Sequence, residues 1–283
     1  MRIAAAFICL TVIMSMLVAC EQQHSESTAT DNVIILEQEF TMPELQRTRQ
    51  VRLYLPPGYK DSDDHYPVLY MHDAQNLFDI QSAYAGEWRV DETLNTLHAE
   101  KGIAVIVVGI DNGGDKRMNE LSPWQNNDFG KAEGQAYVGF IVEHLKPYID
   151  MHYRTKPDVS NTGIMGSSMG GLISQYAIFE YPNVFSKAGV YSPSFWFSDV
   201  VYKHANEKLS HLSSEHKIHY LVGTEEGSDT VANVKKMVSI ITENTTSQAI
   251  NQPVLLVNTV PDGAHNESFW AQHFAKTIEF LYH

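Results

Sequence analysis

From residue 33 onward, short apolar runs rich in β-branched residues alternate with longer amphipathic stretches, and that alternation leaves few folds open. Pro67 to Met71, Ile103 to Ile110, Thr162 to Met165, Ala188 to Tyr191, Ile218 to Val222 and Val254 to Val260 read as strands. Between them, Val90 to Ala99, Ala136 to Ile149, Leu172 to Tyr181, Val231 to Thr242 and Ser268 to Leu281 read as helices. A strand that is apolar along its whole length is buried on both faces, so helices must cover the sheet on each side. Strands joined through helices run mostly parallel. Ahead of them, Val33 to Phe40 and Arg49 to Leu55 read as an antiparallel opening pair that ends at Pro56-Pro57-Gly58. The expectation is an α/β fold over residues 33–283: one domain, a mostly parallel central sheet, and helices on both faces.

In such a sheet ligands bind beyond the carboxyl ends of the strands, so the loops that follow the apolar runs are where chemistry belongs. After the run Thr162 to Met165 comes Gly166-Ser167-Ser168-Met169-Gly170, and a helical segment follows directly. This is a GxSxG string in a strand-to-helix setting, where a tight turn lifts one serine hydroxyl clear of the sheet and small neighbours permit the bend. It points to Ser168 as a nucleophile. A serine alcohol needs a base to take its proton and an acid to hold that base, in the chain order Ser, acid, His for this arrangement. Of thirteen histidines, His265 alone follows the last strand in a glycine-containing loop just before the final helix. The loop Gly223 to Asp229 offers Glu225, Glu226 and Asp229 as the acid. His204, His211, His216 and His219 cluster in sequence, but no carboxylate or cysteine spacing completes a metal site, and they read as solvated or strand-end residues.

The first twenty residues bear on location. Met1-Arg2 precedes an apolar run, Ile3 to Ala19, that closes on Leu17-Val18-Ala19-Cys20. This resembles a bacterial lipoprotein signal, which implies cleavage before Cys20, acylation there, and a lipid anchor in the cell envelope, at the periplasmic or outer-membrane face. The expected organisation is a signal at 1–19, a lipidated Cys20 with a polar tether through 32, and the domain at 33–283. Cys9 and Cys20 are the only cysteines, so the mature domain has no thiol for a disulfide, a metal or catalysis. The formal net charge is −14 with no run of Lys and Arg, which argues against nucleic acid as a partner.

Several segments together are more specific than GxSxG alone: Val68 to Phe78 (VLYMHDAQNLF), Gly166 to Gly171, Ser192-Pro193-Ser194-Phe195-Trp196, and Gly263-Ala264-His265-Asn266-Glu267 with Trp270. With these the chain resembles the bacterial putative-esterase family of α/β-hydrolases. That family includes enterobactin esterases, feruloyl and acetyl-xylan esterases, S-formylglutathione hydrolases and the antigen 85 acyltransferases. The resemblance implies an α/β-hydrolase fold and carboxylic-ester hydrolysis through a Ser168, Glu226, His265 triad and an acyl-enzyme. A Gly-Thr-x-Glu pattern at Gly223 to Glu226 favours Glu226, with Asp229 as its competitor. It also implies an oxyanion site at the backbone amides of Met169 and Gln75, with no cofactor. Ala74 stands where glycine is usual, so the backbone there must tolerate a Cβ.

Substrate choice is thinly encoded. Trp124 and Trp196, beyond strand ends, are candidates for walls that stack a sugar, phenolic ring or catecholate, or for caps on the core. Trp88 and Trp270 sit in helix-like segments and read as packed. Arg117 is a candidate partner for a substrate carboxylate, or for Glu120 or Asp115. No long insertion is present to build a lid. A siderophore, feruloyl or acetyl-carbohydrate ester is the expected substrate. The alternatives are acyl transfer of the antigen 85 kind and a non-catalytic surface lipoprotein; against the last stands the presence of all three triad candidates.

Overall fold

The structure, a computed structural model, describes residues 26–248 and 252–283; the signal segment and Cys20 lie outside the described residues. In chain order the elements are β1 (Val33–Ile35), β2 (Phe40–Met42), β3 (Arg47–Arg49), β4 (Val51–Tyr54), β5 (Val68–His72), α1 (Val90–Lys101), β6 (Ile106–Ile110), α2 (Arg117–Glu120), α3 (Gly134–Phe140) and α4 (Lys146–His152). There follow β7 (Thr162–Ser167), α5 (Met169–Glu180), β8 (Lys187–Tyr191), α6 (Val200–Lys208), β9 (Lys217–Gly223), α7 (Ser228–Gln248), β10 (Val254–Val260) and α8 (Glu267–Tyr282).

Eight strands form one sheet in the order β1-β4-β6-β5-β7-β8-β9-β10, while β2 and β3 pair separately. β4 is antiparallel to both neighbours, and every pairing from β6 to β10 is parallel. This is the mostly parallel sheet that the alternating pattern requires, and its order agrees with the α/β-hydrolase fold that the resemblance implies. Along β5 the side chains divide between two cores. Val68 and Tyr70 pack with residues of α3, α5 and α6, whereas Leu69 and Met71 pack with residues of α1 and α8. All five residues of β5 are buried, as expected of a strand covered on both faces. Each large apolar side chain so removed from water contributes roughly 1.5–3 kcal/mol.

Local chemistry explains where the elements depart from the apolar pattern. Glu37-Gln38-Glu39 interrupts the first run, so β1 pairs with β4 while Phe40 to Met42 turns back against Arg47 to Arg49. Between α3 and α4 the helix widens into a π turn at Ile141–Leu145, directly ahead of Pro147 in the first turn of α4. A proline inside a helix lacks the donor and crowds the carbonyl four residues back; the wider turn relieves both. Of the histidines read as solvated or strand-end residues, His211 is exposed and His216 directly precedes β9, whereas His204 and His219 are partnered inside the fold. His219 is fully buried on β9, bonded to Thr277 and Asn258, and His204 meets Glu180 at 2.9 Å.

Residues 26–32, expected to belong to a tether, are held against the domain. Ser27 Oγ donates to Asp79 at 2.8 Å, Thr28 Oγ1 to Glu87 at 2.9 Å, and the Thr30 amide to Asp91 at 2.8 Å. The folded unit therefore begins ahead of residue 33. Among the described residues no helix is long and apolar enough to cross a membrane.

Candidate active site

The carboxyl ends of β5, β6, β7 and the loop after β10 surround a cleft of about 780 Å³. Ser168, His265, Gln75, Arg117, Trp88 and Trp270 all line it.

Ser168 sits between β7 and α5 with φ 59° and ψ −120°, a conformation that L residues seldom adopt. The turn closes because its neighbours lack side chains. A Cβ on Gly166 would stand 2.9 Å from the Gly170 backbone, and one on Gly171 would stand 2.7 Å from the Tyr191 carbonyl oxygen. The Ser168 hydroxyl rests 3.3 Å from Ser194 Oγ.

His265 Nδ1 lies 2.9 Å from Glu226 Oε2. The imidazole side chain is 42% exposed and that of Glu226 only 1% exposed, so the ring reaches solvent while its partner does not. The other carboxylate oxygen accepts from the Gly223 amide at 2.7 Å and from Ser192 Oγ at 2.6 Å. Ser192 in turn accepts from Trp270 Nε1 at 2.8 Å, and the Trp270 ring stands edge-on to His265 at 5.0 Å. Asp229 opens α7, exposed and bonded to Ser228, and Glu225 is exposed as well. Of the three acids in the loop, Glu226 is the one in contact with His265.

On the opposite wall the turn after β5 is braced. Asp73 takes the left-handed conformation and accepts two bonds from Arg117, at 2.6 and 2.8 Å, and one from Asn112 at 2.7 Å. Burial alone would raise the Asp73 carboxyl, but the Arg117 guanidinium and these hydrogen bonds hold it below the usual carboxylate range. Arg117 is thus paired with Asp73, not with Glu120 or Asp115; Glu120 is engaged by Arg47 and Arg49. The methyl of Ala74 is accommodated because residue 109 is glycine, where a Cβ would come within 2.8 Å of it.

The Gln75 side chain is tied to the Asn112 backbone, donating at 3.3 Å and accepting at 3.0 Å. Its own amide, like that of Met169 at the start of α5, donates to no acceptor among the described residues. His72 lies beside the cleft, buried, with Nδ1 2.9 Å from the Tyr137 hydroxyl. Burial lowers it to about 4, so the ring is neutral at physiological pH. Burial also raises Glu267, which accepts from Asn76 at the cleft edge.

Of the two readings open for Trp124 the structure takes the core cap, and Trp88 and Trp270 are packed as expected yet also reach the cleft. Trp124 packs edge-on against Tyr176 and His204, and Trp196 is exposed beside Phe129 and Phe197; neither lines the cleft. Trp88 and Trp270 do line it, although both are buried, with Trp88 stacked on Tyr191 at 5.6 Å. Ring contacts that bury one face of an indole leave its edge free to form a wall. Among the described residues no three metal-binding side chains converge in the cleft.

Comparison with known proteins agrees with this architecture. The family model described as Putative esterase matches residues 42–281. The uncharacterized protein YbbA of Bacillus subtilis is 25% identical over 248 residues, covering 83% of this chain and 92% of that one. The iron(III) salmochelin esterase of Escherichia coli is 28% identical over 156 residues, 54% of this chain and 34% of its own length. Among solved structures, an IroE-like serine hydrolase from Shewanella oneidensis superposes with a TM-score of 0.70 at 19% identity, over 88% of this chain and 80% of that one. With a matched segment that spans nearly the whole described fold, the chain belongs to the Putative esterase family and is an enzyme that acts on esters.

Proposed function

We propose that the protein hydrolyses carboxylic esters through Ser168, His265 and Glu226 by way of an acyl-enzyme. The observation that carries this reading is one cleft shared by a serine on a strained turn and a histidine whose far nitrogen is held by a buried glutamate. In this reading the Ser168 hydroxyl turns from Ser194 toward His265 Nε2 across the cleft that both residues line. The serine oxygen attacks the ester carbonyl as the imidazole takes its proton, and Glu226 stabilises the imidazolium at Nδ1. The free amides of Met169 and Gln75 receive the oxyanion; one such donor is worth about 10²- to 10³-fold in kcat. Collapse expels the alcohol, which takes the proton from His265, and water attacks the acyl-enzyme by the same path in reverse.

The cleft volume suits one aromatic acyl unit or a sugar ester, and Trp88, Trp270 and the exposed Tyr84 supply flat apolar surface for it. Relatives named as a salmochelin esterase and a feruloyl esterase favour siderophore or phenolic esters. The test is hydrolysis by the purified protein of p-nitrophenyl butyrate, methyl ferulate, acetylated xylan and ferric enterobactin, with Ser168→Ala as control. Loss of turnover at an unchanged melting temperature is expected of the variant; retained turnover would reject Ser168. Product that partitions onto an added sugar acceptor would instead indicate acyl transfer.

We further propose that Cys20 carries the lipid that anchors the chain to the cell envelope, on the strength of Leu17-Val18-Ala19-Cys20 after an apolar run. Mass spectrometry of the mature N-terminus should find acyl chains on Cys20, and an unmodified terminus elsewhere would overturn this.

A further inference from the structure

Beside the cleft, at the start of α1, three carboxylates meet. Glu87, Asp91 and Glu92 each bring an oxygen within 4.8 Å of the other two. Asp91 is fully buried. Protein donors satisfy one side of the cluster: Thr28 Oγ1 donates to Glu87 Oε2 at 2.9 Å, the Thr30 amide to Asp91 Oδ2 at 2.8 Å, and Arg89 Nε to Glu92 Oε1 at 3.0 Å. The second oxygens of these carboxylates are Glu87 Oε1, Asp91 Oδ1 and Glu92 Oε2. All three are shielded from water and, among the described residues, have no hydrogen-bond partner.

Buried carboxylate oxygens are ordinarily satisfied, and three carboxylates that meet, each with one oxygen left bare, call for positive charge. Arg89 offers little of it, since its side chain is 65% exposed and it lies on the satisfied side of Glu92. Burial, helped by the neighbouring Glu92 carboxylate and outweighing the hydrogen bonding from Thr30, pushes the Asp91 carboxyl up to about 6, and burial also raises Glu87.

We propose that Glu87, Asp91 and Glu92 form a binding site for a hard divalent cation, calcium in preference to magnesium. Anionic oxygen donors select hard ions over those that seek sulfur or imidazole. Calcium takes six to eight oxygens at about 2.3–2.6 Å in irregular geometry, so ligands on opposite sides of it stand about 5 Å apart. Three carboxylates that bring oxygens within 4.8 Å of one another can share such an ion. Magnesium demands a tighter, near-regular octahedron. The ion would join α1 to the segment ahead of β1, through Thr28 and Thr30, and to the cleft wall, since Glu87 precedes Trp88. The site is independent of the ester chemistry proposed for the cleft.

The test is calcium titration by calorimetry of the purified protein after EDTA treatment, with melting curves in CaCl2, MgCl2 and EDTA. One calcium per chain is expected, with a Kd below about 1 mM, and a melting temperature raised more by calcium than by magnesium. Glu87→Gln, at a half-buried position where folding should survive, and Asp91→Asn should each weaken calcium at least about tenfold, in keeping with the loss of a charged ligand. Absence of saturable binding, or affinity unchanged in both variants, would overturn the proposal. So would a melting temperature that responds to pH and to no cation, which would mark Asp91 and Glu92 as a pair that shares a proton.

Discussion

Glu226 is separated from its rivals by what surrounds it, not by its own chemistry. The Gly223 amide and the Ser192 hydroxyl fix one carboxylate oxygen, which leaves the other aimed at His265. Asp229, three residues on, points into solvent from the first turn of α7, where it favours the helix dipole and little else. Glu226→Gln should therefore lower kcat/KM by about three to four orders of magnitude, the range for losing the acid of a serine triad. Asp229→Asn should stay within about twofold, as is usual for an exposed substitution. Parallel kinetics of the two purified variants decide the matter, and an equal loss in Asp229→Asn would move the role. The sequence narrowed the acid to three neighbours and went no further, because the selecting contacts come from residues 34 and 39 positions away along the chain.

At the scale of elements, what could be read in advance was whatever a local pattern determines. The strands of the parallel sheet appear where apolar runs predict them, and the Ser168 turn is where glycine spacing puts it. α5 starts three residues ahead of Leu172, where the apolar pattern places it: Met169-Gly170-Gly171 is a poor helical opening by propensity, yet packing buries eleven residues of the helix and overrides that preference. Trp88 and Trp270 show a different limit. Hydrophobic periodicity reports that a side chain leaves water, and both do; it carries no information on whether the far edge of the ring meets core or cleft. Trp124 and Trp196 show the converse: a place just past a strand does not give a side chain its direction. The brace between Asp73 and Arg117 spans 44 residues and had no local signature at all. Its physical consequence is that the turn bearing Gln75 is anchored to α2, not left to the strand end alone.

Across the whole molecule, burial of neutral histidine sets the response to acid. His72 beside the cleft and His219 between β9 and α8 are both lowered to about 4 by burial, against an ordinary value of 6.5. Between those values the unfolded chain binds protons at both sites that the folded chain does not, so stability falls as pH falls through that window. At about 1.4 kcal/mol per pH unit for each group, the loss is roughly 3 kcal/mol per histidine once pH 4 is reached. In the ion-free protein Asp91, pushed up to about 6, acts in the opposite sense, because its folded form takes up a proton before its unfolded form does. The raised Glu87 and Glu267 act with Asp91, and the lowered His204 and His273 act with His72 and His219; the two large histidine shifts exceed the one large carboxyl shift, and below pH 4 the depressed Asp73 adds to the loss as it is protonated. The melting temperature should therefore drop steadily from pH 7 to pH 4. His219→Gln should lower it at neutral pH, where contacts with Thr277 and Asn258 are disturbed, yet flatten its decline by about one proton's worth. Calorimetry of both proteins across that range distinguishes this from general acid lability: curves that stay parallel would mean that His219 is not a source of the slope.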